Sequence, residues 1–271
     1  MLRTDLAIEL KKQLKEDEKI ECKTEKIGLL TVTEIKVKTE QESKALNRPI
    51  GTYVNIDVPD LTLHSGEYTE LEDIIKNKLL SFNFPKDNIL VAGLGNKNIT
   101  PDTLGPATAD SVLATRHLTK ELKEETGLSK LKNVSVIMPG VLGQTGIETK
   151  EIIKGIVNTA NIKGIVVIDA FAASDINRLA TTIQLCDSGI SPGSGVGNNR
   201  LEISKKTMGI PVIAIGVPTC VDIGSLIGGE NMIVAPRDID MLIDRSAAVL
   251  SRAINCFLQP DIPREFLLSI V

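Results

Sequence analysis

Short apolar runs separated by helix-periodic stretches dominate the chain from residue 88 onward. Asn88-Ile-Leu-Val-Ala-Gly-Leu-Gly95 predicts a buried strand running into a glycine turn, and Val134–Met138, Gly164–Ala170, Thr181–Leu185 and Pro211–Val217 predict further strands. Between them, residues 105–123 and 148–160 carry helical spacing, the second behind a Thr145-x-x-Glu148 capping box. Over 236–257, Ile239, Leu242, Ile243, Leu250, Ile254 and Phe257 fall on one face and predict a closing helix that packs on the core. Strands alternating with helices predict an α/β fold: a three-layer, mostly parallel sheet flanked by helices.

The first part of the chain reads differently. Residues 6–24 are helix-compatible, 27–38 alternate apolar and polar as a strand does, 51–58 predict another strand, and Leu71–Leu80 a helix that ends near Pro85. A small, partly antiparallel N-terminal region (6–87) therefore precedes an α/β core (88–271). No internal repeat or low-complexity linker divides the two, so one domain over 1–271 is expected.

Composition narrows this picture. With 42% hydrophobic residues, 3% aromatics and no Trp in 271 residues, the core must be built from Ile, Val, Leu and Ala, which suits buried strands. The net charge of −4 comes from 31 basic and 35 acidic residues without a basic block, so direct nucleic-acid binding is not expected. The mixed charges of Lys11–Lys26 fit a solvated helix face. Cys22, Cys186, Cys220 and Cys256 are widely spaced, and His64 and His117 are the two histidines. That set predicts free thiols and no thiolate zinc site. The N-terminus lacks an apolar signal core, and no apolar run nears the roughly 18 residues that span a bilayer. A soluble, intracellular protein with no membrane partner is expected.

In open α/β sheets, sites form beyond the carboxyl ends of the strands. Asp102 stands at the exit of the loop after the first core strand, just before a helix, where an aspartate also serves as a cap. Asp169 follows Ile165-Val-Val-Ile168; a carboxylate there is costly unless paired, hydrogen-bonded or protonated. Two carboxylates at strand ends can converge and share a proton, one acting as base towards water while the other donates to a carbonyl oxygen. The Gly- and Ser-rich loop Asp187–Asn198 matches no phosphate-binding fingerprint and is expected to line substrate or a subunit contact. No Gly-x-Ser-x-Gly elbow follows a strand, and Cys220, lacking a histidine base, reads as a buried thiol.

Longer motifs go further. Arg3-Thr-Asp-Leu-Ala-Ile-Glu9, Gly51-Thr-Tyr-Val54, Gly93-Leu-Gly-Asn96, Thr100-Pro-Asp-Thr-Leu-Gly-Pro106, Pro139–Thr149, Ile168-Asp-Ala170, Thr182-Ile-Gln184, Asp187–Asn198 and Gly209–Thr219 run in order across most of the chain. In these the chain resembles the germination protease family of spore-forming bacteria. The resemblance implies an atypical aspartic endopeptidase with Asp102 and Asp169 as catalytic residues and no metal or other cofactor. It also implies a single peptidase domain whose precursor cuts itself near Asp5–Leu6, removing residues 1–5. Its substrates would be small acid-soluble spore proteins, its assembly a homotetramer, and its location the cytoplasm of the forespore and the spore core. The chain departs from the family pattern at three places: only Met1 and Leu2 precede Arg3, Ile227-Gly-Gly-Glu230 joins the last strand directly to the closing helix, and Ser174 stands where a basic residue is usual. Two alternatives stay open. One is a nickel-binding endopeptidase of the hydrogenase-maturation type, whose fold the α/β core resembles, with the two aspartates as metal contacts. The other is a non-catalytic scaffold of the same fold.

Overall fold

A computed structural model describes residues 3–14, 19–59, 61, 68–197, 200–223 and 232–270. His64, Asn198 and the Ile227–Glu230 junction lie outside the described residues. The described strands are β1 Glu21–Ile27, β2 Leu30–Val37, β3 Gly51–Asp57, β4 Ile89–Gly93, β5 Val134–Ile137, β6 Gly164–Ala173, β7 Thr182–Cys186, β8 Val212–Asp222 and β9 Ile233–Val234. They join one sheet in the order β1-β2-β3-β7-β8-β6-β4-β5, with β9 on β8. The half from β8 to β5 is parallel. The half from β1 to β8 is antiparallel and takes in β7 as well as the N-terminal strands. The α/β reading holds, with a mixed sheet.

Helices cover both faces. On one, Thr69–Ser81 and the closing helix Ile239–Leu258 pack Leu71, Ile75, Leu79, Leu242, Leu250 and Ile254 against Val91, Val166, Ile168 and Ile215. Fully burying side chains of this kind contributes about 1.5–3 kcal/mol each. On the other face, Thr149–Thr159 seats Ile153 on Leu90, Ile165 and Val167. The short helix Ala7–Lys11 seats Leu6, Ala7 and Leu10 near Ile35, Tyr53 and Phe171.

Three local expectations are corrected. Helix over 6–24 shrinks to Ala7–Lys11, because Glu21–Ile27 is an edge strand of the sheet. Its charged positions suit a strand with solvent at its edge as well as they suit a helix face, and they find cross-strand and helix partners, Glu25 pairing with Lys78 at 2.8 Å. Gly28, at φ 56°, supplies the two-residue hairpin turn into β2. The helix expected over 105–123 is two, Leu104–Asp110 and Lys120–Glu125. Asn255 breaks it by accepting the Leu113 N–H (2.9 Å) and donating to the Ser111 carbonyl (2.9 Å), while Thr115 and Arg116 both donate to the Val134 carbonyl. The capping box sits three residues later than expected, with Glu148 as the cap and Glu151 answering it. Thr145 instead ends the preceding turn, Leu142–Thr145, and accepts the Ile147 N–H.

Candidate active site

Asp169 lies in β6, at the middle of the sheet, opposite Gly216 of β8. The four apolar residues before it are fully buried, and Asp169 itself is only 5% exposed. Asp102 ends a single 3-10 turn, Thr100–Asp102, that follows β4. Close backbone packing brings this turn beside β6. Gly105 sits so near the strand ends that an added Cβ would lie 2.2 Å from the Leu94 carbonyl oxygen and 2.5 Å from that of Ile168. Gly95, at φ 114°, likewise leaves no room, its Cβ position being 2.0 Å from the Asp102 carbonyl oxygen. From the other side, Thr219 donates its hydroxyl to the Pro101 carbonyl at 2.6 Å. The β6–β8 pairing shifts register just there, between Phe171 and Ala172, and a bulge of this kind re-aims a side chain.

Both aspartates face one cavity of about 380 Å³, together with Leu94, Gly140, Leu142 and Cys220. Burial, the Asp102 carboxylate and then that of Asp5 push the Asp169 carboxyl well above the usual range, against one hydrogen bond from the Ala170 N–H (3.0 Å). Burial also raises Asp102, opposed by the Asn96 N–H, which donates to its Oδ2 at 2.8 Å. A half-open carboxyl with a backbone donor therefore stands near a deeper one that retains its proton more strongly. Such a pair can divide acid and base roles between its members.

Asp5 completes the cavity, and two residues that the sequence reading did not single out, Gln184 and Glu9, hold the amino-terminal segment beside it. Asp5, expected only as one side of a cut bond, enters it with its carboxyl group buried. Gln184, on β7, clamps the chain around the Asp5–Leu6 bond: its Nε2 donates to the Asp5 carbonyl at 3.0 Å and its Oε1 accepts the Ala7 N–H at 2.7 Å. A glutamine inside the apolar run of a buried strand was the available signal. Glu9, buried, accepts the backbone N–H groups of Ser174 and Asp175, each at 2.9 Å, and the Thr4 hydroxyl. At position 174 it is thus the main chain that holds Glu9.

The Gly- and Ser-rich loop does line the cavity, through Pro192 and Gly193. Cys220 also lines it, and burial followed by the nearby Asp5 pushes its thiol up to about 11, so at neutral pH it is almost wholly protonated and a weak nucleophile. All four cysteines are free. His117 is exposed in the turn before Lys120–Glu125, not in a helix. Among the described residues, no group of three or more His, Cys, Asp and Glu has metal-holding geometry, and no helix is long and apolar enough to cross a membrane.

Comparison with known proteins bears on this arrangement. Residues 2–228 match the Peptidase_A25 family model, described as germination protease. The germination protease of Caldanaerobacter subterraneus subsp. tengcongensis is 36% identical, over 97% of this chain and 96% of its own. That of Clostridium tetani is 37% identical, over 97% of each, and that of Priestia megaterium 44% identical, over 83% of this chain and 65% of its own. The first two alignments run over 315 positions, more than the 271 residues of this chain, so those relatives carry residues that this one lacks. Among solved structures, the [NiFe] hydrogenase maturation protease HycI of Thermococcus kodakarensis KOD1 aligns at TM-score 0.38 and 18% identity, covering 68% of this chain and 98% of its own. The chain belongs to the germination protease family and is a peptidase, a hydrolase, of spore germination.

Proposed function

We propose that this peptidase hydrolyses small acid-soluble spore proteins in the spore core, using Asp102 and Asp169, and that its precursor first cuts itself between Asp5 and Leu6. The observation that carries this reading is the shared cavity, which Asp102 and Asp169 line together with Asp5, the residue before the proposed cut. Asp102, the more open carboxylate, takes a proton from water as the water oxygen bonds to the carbonyl carbon. Asp169, which keeps its proton, donates it to the carbonyl oxygen. The tetrahedral intermediate then breaks its C–N bond, the amine leaves with the proton held by Asp102, and Asp169 regains its own. Water is consumed, one acid and one amine form, and both side chains return to their starting states. A substrate that is disordered when free can enter such a cleft as an extended chain without prior unfolding. A homotetramer is part of the proposal, carried by the family resemblance.

The test is incubation of the purified protein with a small acid-soluble spore protein near neutral pH, with and without chelator, beside folded Asp102→Asn and Asp169→Asn proteins. Cleavage that ignores chelator and is lost in both variants is expected. Cleavage surviving in either variant removes the pair from the mechanism. Mass spectrometry of the wild type is expected to show a chain beginning at Leu6, and light scattering a tetramer.

A further inference from the structure

Gln184 lies in β7, whose residues Thr182–Cys186 are all buried. A primary amide in such a place needs partners at both its ends. Among the described residues it finds them only on the amino-terminal segment: Nε2 donates to the Asp5 carbonyl at 3.0 Å and Oε1 accepts the Ala7 N–H at 2.7 Å. A carbonyl can only accept and an N–H can only donate, so the amide faces the segment in one sense alone.

Those two bonds frame one peptide. Leu6, between them, is extended at φ −85° and ψ 119°. A single side-chain amide thus does what the main chain of a neighbouring strand would do, holding backbone atoms without regard to side chains. The N–H of the Asp5–Leu6 peptide is answered from within the segment, by the Thr4 hydroxyl at 3.0 Å, whereas its carbonyl is answered from the sheet, by Gln184. The carbon of that carbonyl is the one attacked in the self-cleavage proposed above, and Asp5 lines the cavity of Asp102 and Asp169.

We infer that Gln184 is a third catalytic residue of this peptidase, its Nε2–H holding the carbonyl oxygen of the bond being cut while negative charge develops there; this rests on the two-aspartate mechanism proposed above. As the water oxygen bonds to the carbonyl carbon, the π pair of the carbonyl moves onto its oxygen. One lone pair of that oxygen takes the Asp169 proton and another keeps the Gln184 hydrogen bond, through which no proton passes. When the intermediate collapses the C=O bond re-forms, the proton returns to Asp169 and Gln184 is unchanged. A neutral amide stabilises the oxygen without supplying a cation that would draw the proton from Asp169. The same side chain serves an incoming substrate. Asp5 and Gln184 line a common cavity of about 220 Å³, and departure of residues 1–5 frees both ends of the amide for the main chain of another extended peptide.

The test is the rate of self-cleavage in full-length protein, followed by mass spectrometry, with the fold of each variant checked by urea unfolding. Gln184→Met keeps the length of the side chain and removes both hydrogen bonds, and should cut Asp5–Leu6 about 10²-fold or more slowly than wild type, the usual loss for one such donor. Gln184→Glu keeps the acceptor and can donate only when protonated. It should come within about tenfold of wild type at acid pH and fall towards Gln184→Met as the pH rises. Gln184→Met cutting within about threefold of wild type, or Gln184→Glu remaining as slow as Gln184→Met at every pH, overturns the role. A second measurement needs no cleavage. In full-length Asp102→Asn protein, the NMR resonance of the Asp5 carbonyl carbon should move upfield on adding Gln184→Met, as the oxygen loses its donor, and an unmoved resonance also overturns the role. Wild type that leaves Asp5–Leu6 intact sinks the peptidase reading and the role together, whereas wild type and Gln184→Met that cut equally sink the role alone.

Discussion

Gly105→Ala should damage both stability and catalysis through one methyl group. The Cβ position at 105 lies 2.2 Å from the Leu94 carbonyl oxygen, 2.5 Å from its nitrogen and 2.5 Å from the Ile168 carbonyl oxygen. A carbon and an oxygen settle at about 3.3 Å, so helix Leu104–Asp110 must retreat by about 1 Å. All three obstructing atoms are backbone, tied by the Leu94 N–H to Ile168 carbonyl bond (2.8 Å), and cannot turn aside as a side chain would. Overpacking of this kind costs about 1–3 kcal/mol, and the upper end is expected here. Asp102 stands three residues before Gly105 and moves with the helix, and a displacement of about 1 Å at a catalytic group lowers the rate by about 10²-fold. Urea unfolding gives the first quantity and kcat/KM on a small acid-soluble spore protein the second. Gly143→Ala is the control, since nothing lies within 4 Å of its Cβ position. A Gly105→Ala protein within about 0.5 kcal/mol of wild type and equally active would refute the claim that glycine packing sets the position of Asp102.

Further outcomes follow from individual sites. Asp169→Asn should abolish cleavage yet stabilise the fold at neutral pH. The Asp169 carboxyl is raised in the folded state by burial and neighbouring carboxylates, so the wild type loses stability as pH climbs above the unfolded value of about 3.9, whereas Asn does not titrate. The stability difference should therefore widen in the variant's favour as the pH rises above about 4, and a flat difference would contradict the shift. Gln184→Leu removes the partners of the Asp5 carbonyl and the Ala7 N–H, and should cost about 1–3 kcal/mol in urea unfolding. Gly155→Ala, in an exposed helix position with open space around it, should stabilise by about 0.5–1 kcal/mol, read as a higher midpoint in the same titration.

The parts of the fold that were legible in the sequence are those where burial leaves the residue little choice. Ile165–Ile168 and Val212–Ile215 must be apolar because both faces of those strands are covered, and Asp169 stands out because it breaks such a run. Glu21–Ile27 was misread because an edge strand keeps one side in water and tolerates the same mixed charges as a helix face. The helix over 105–123 was overextended because nothing near 111–116 announces that Asn255, on the closing helix, will take over its backbone bonds.

The candidate site divides along the same line. By itself the sequence determined that an α/β sheet would form, that Asp102 would lie in the segment after a strand, and, through its long motifs, the family, whereas Asp169, expected at a strand end, lies inside β6. Each follows from local pattern or from residues contiguous in the chain. Only the tertiary structure decided that Asp5 would line the cavity of the two aspartates and that Gln184 and Ser194 would bind it there. Those contacts span 179 and 189 positions of the chain. They exist because β7 pairs with β8 and β8 with β6, which brings the Ser194 loop and the amino-terminal segment to one end of the sheet. No periodicity records that neighbourhood, because strand order is chosen by the packing of whole elements rather than by the residues near any one of them.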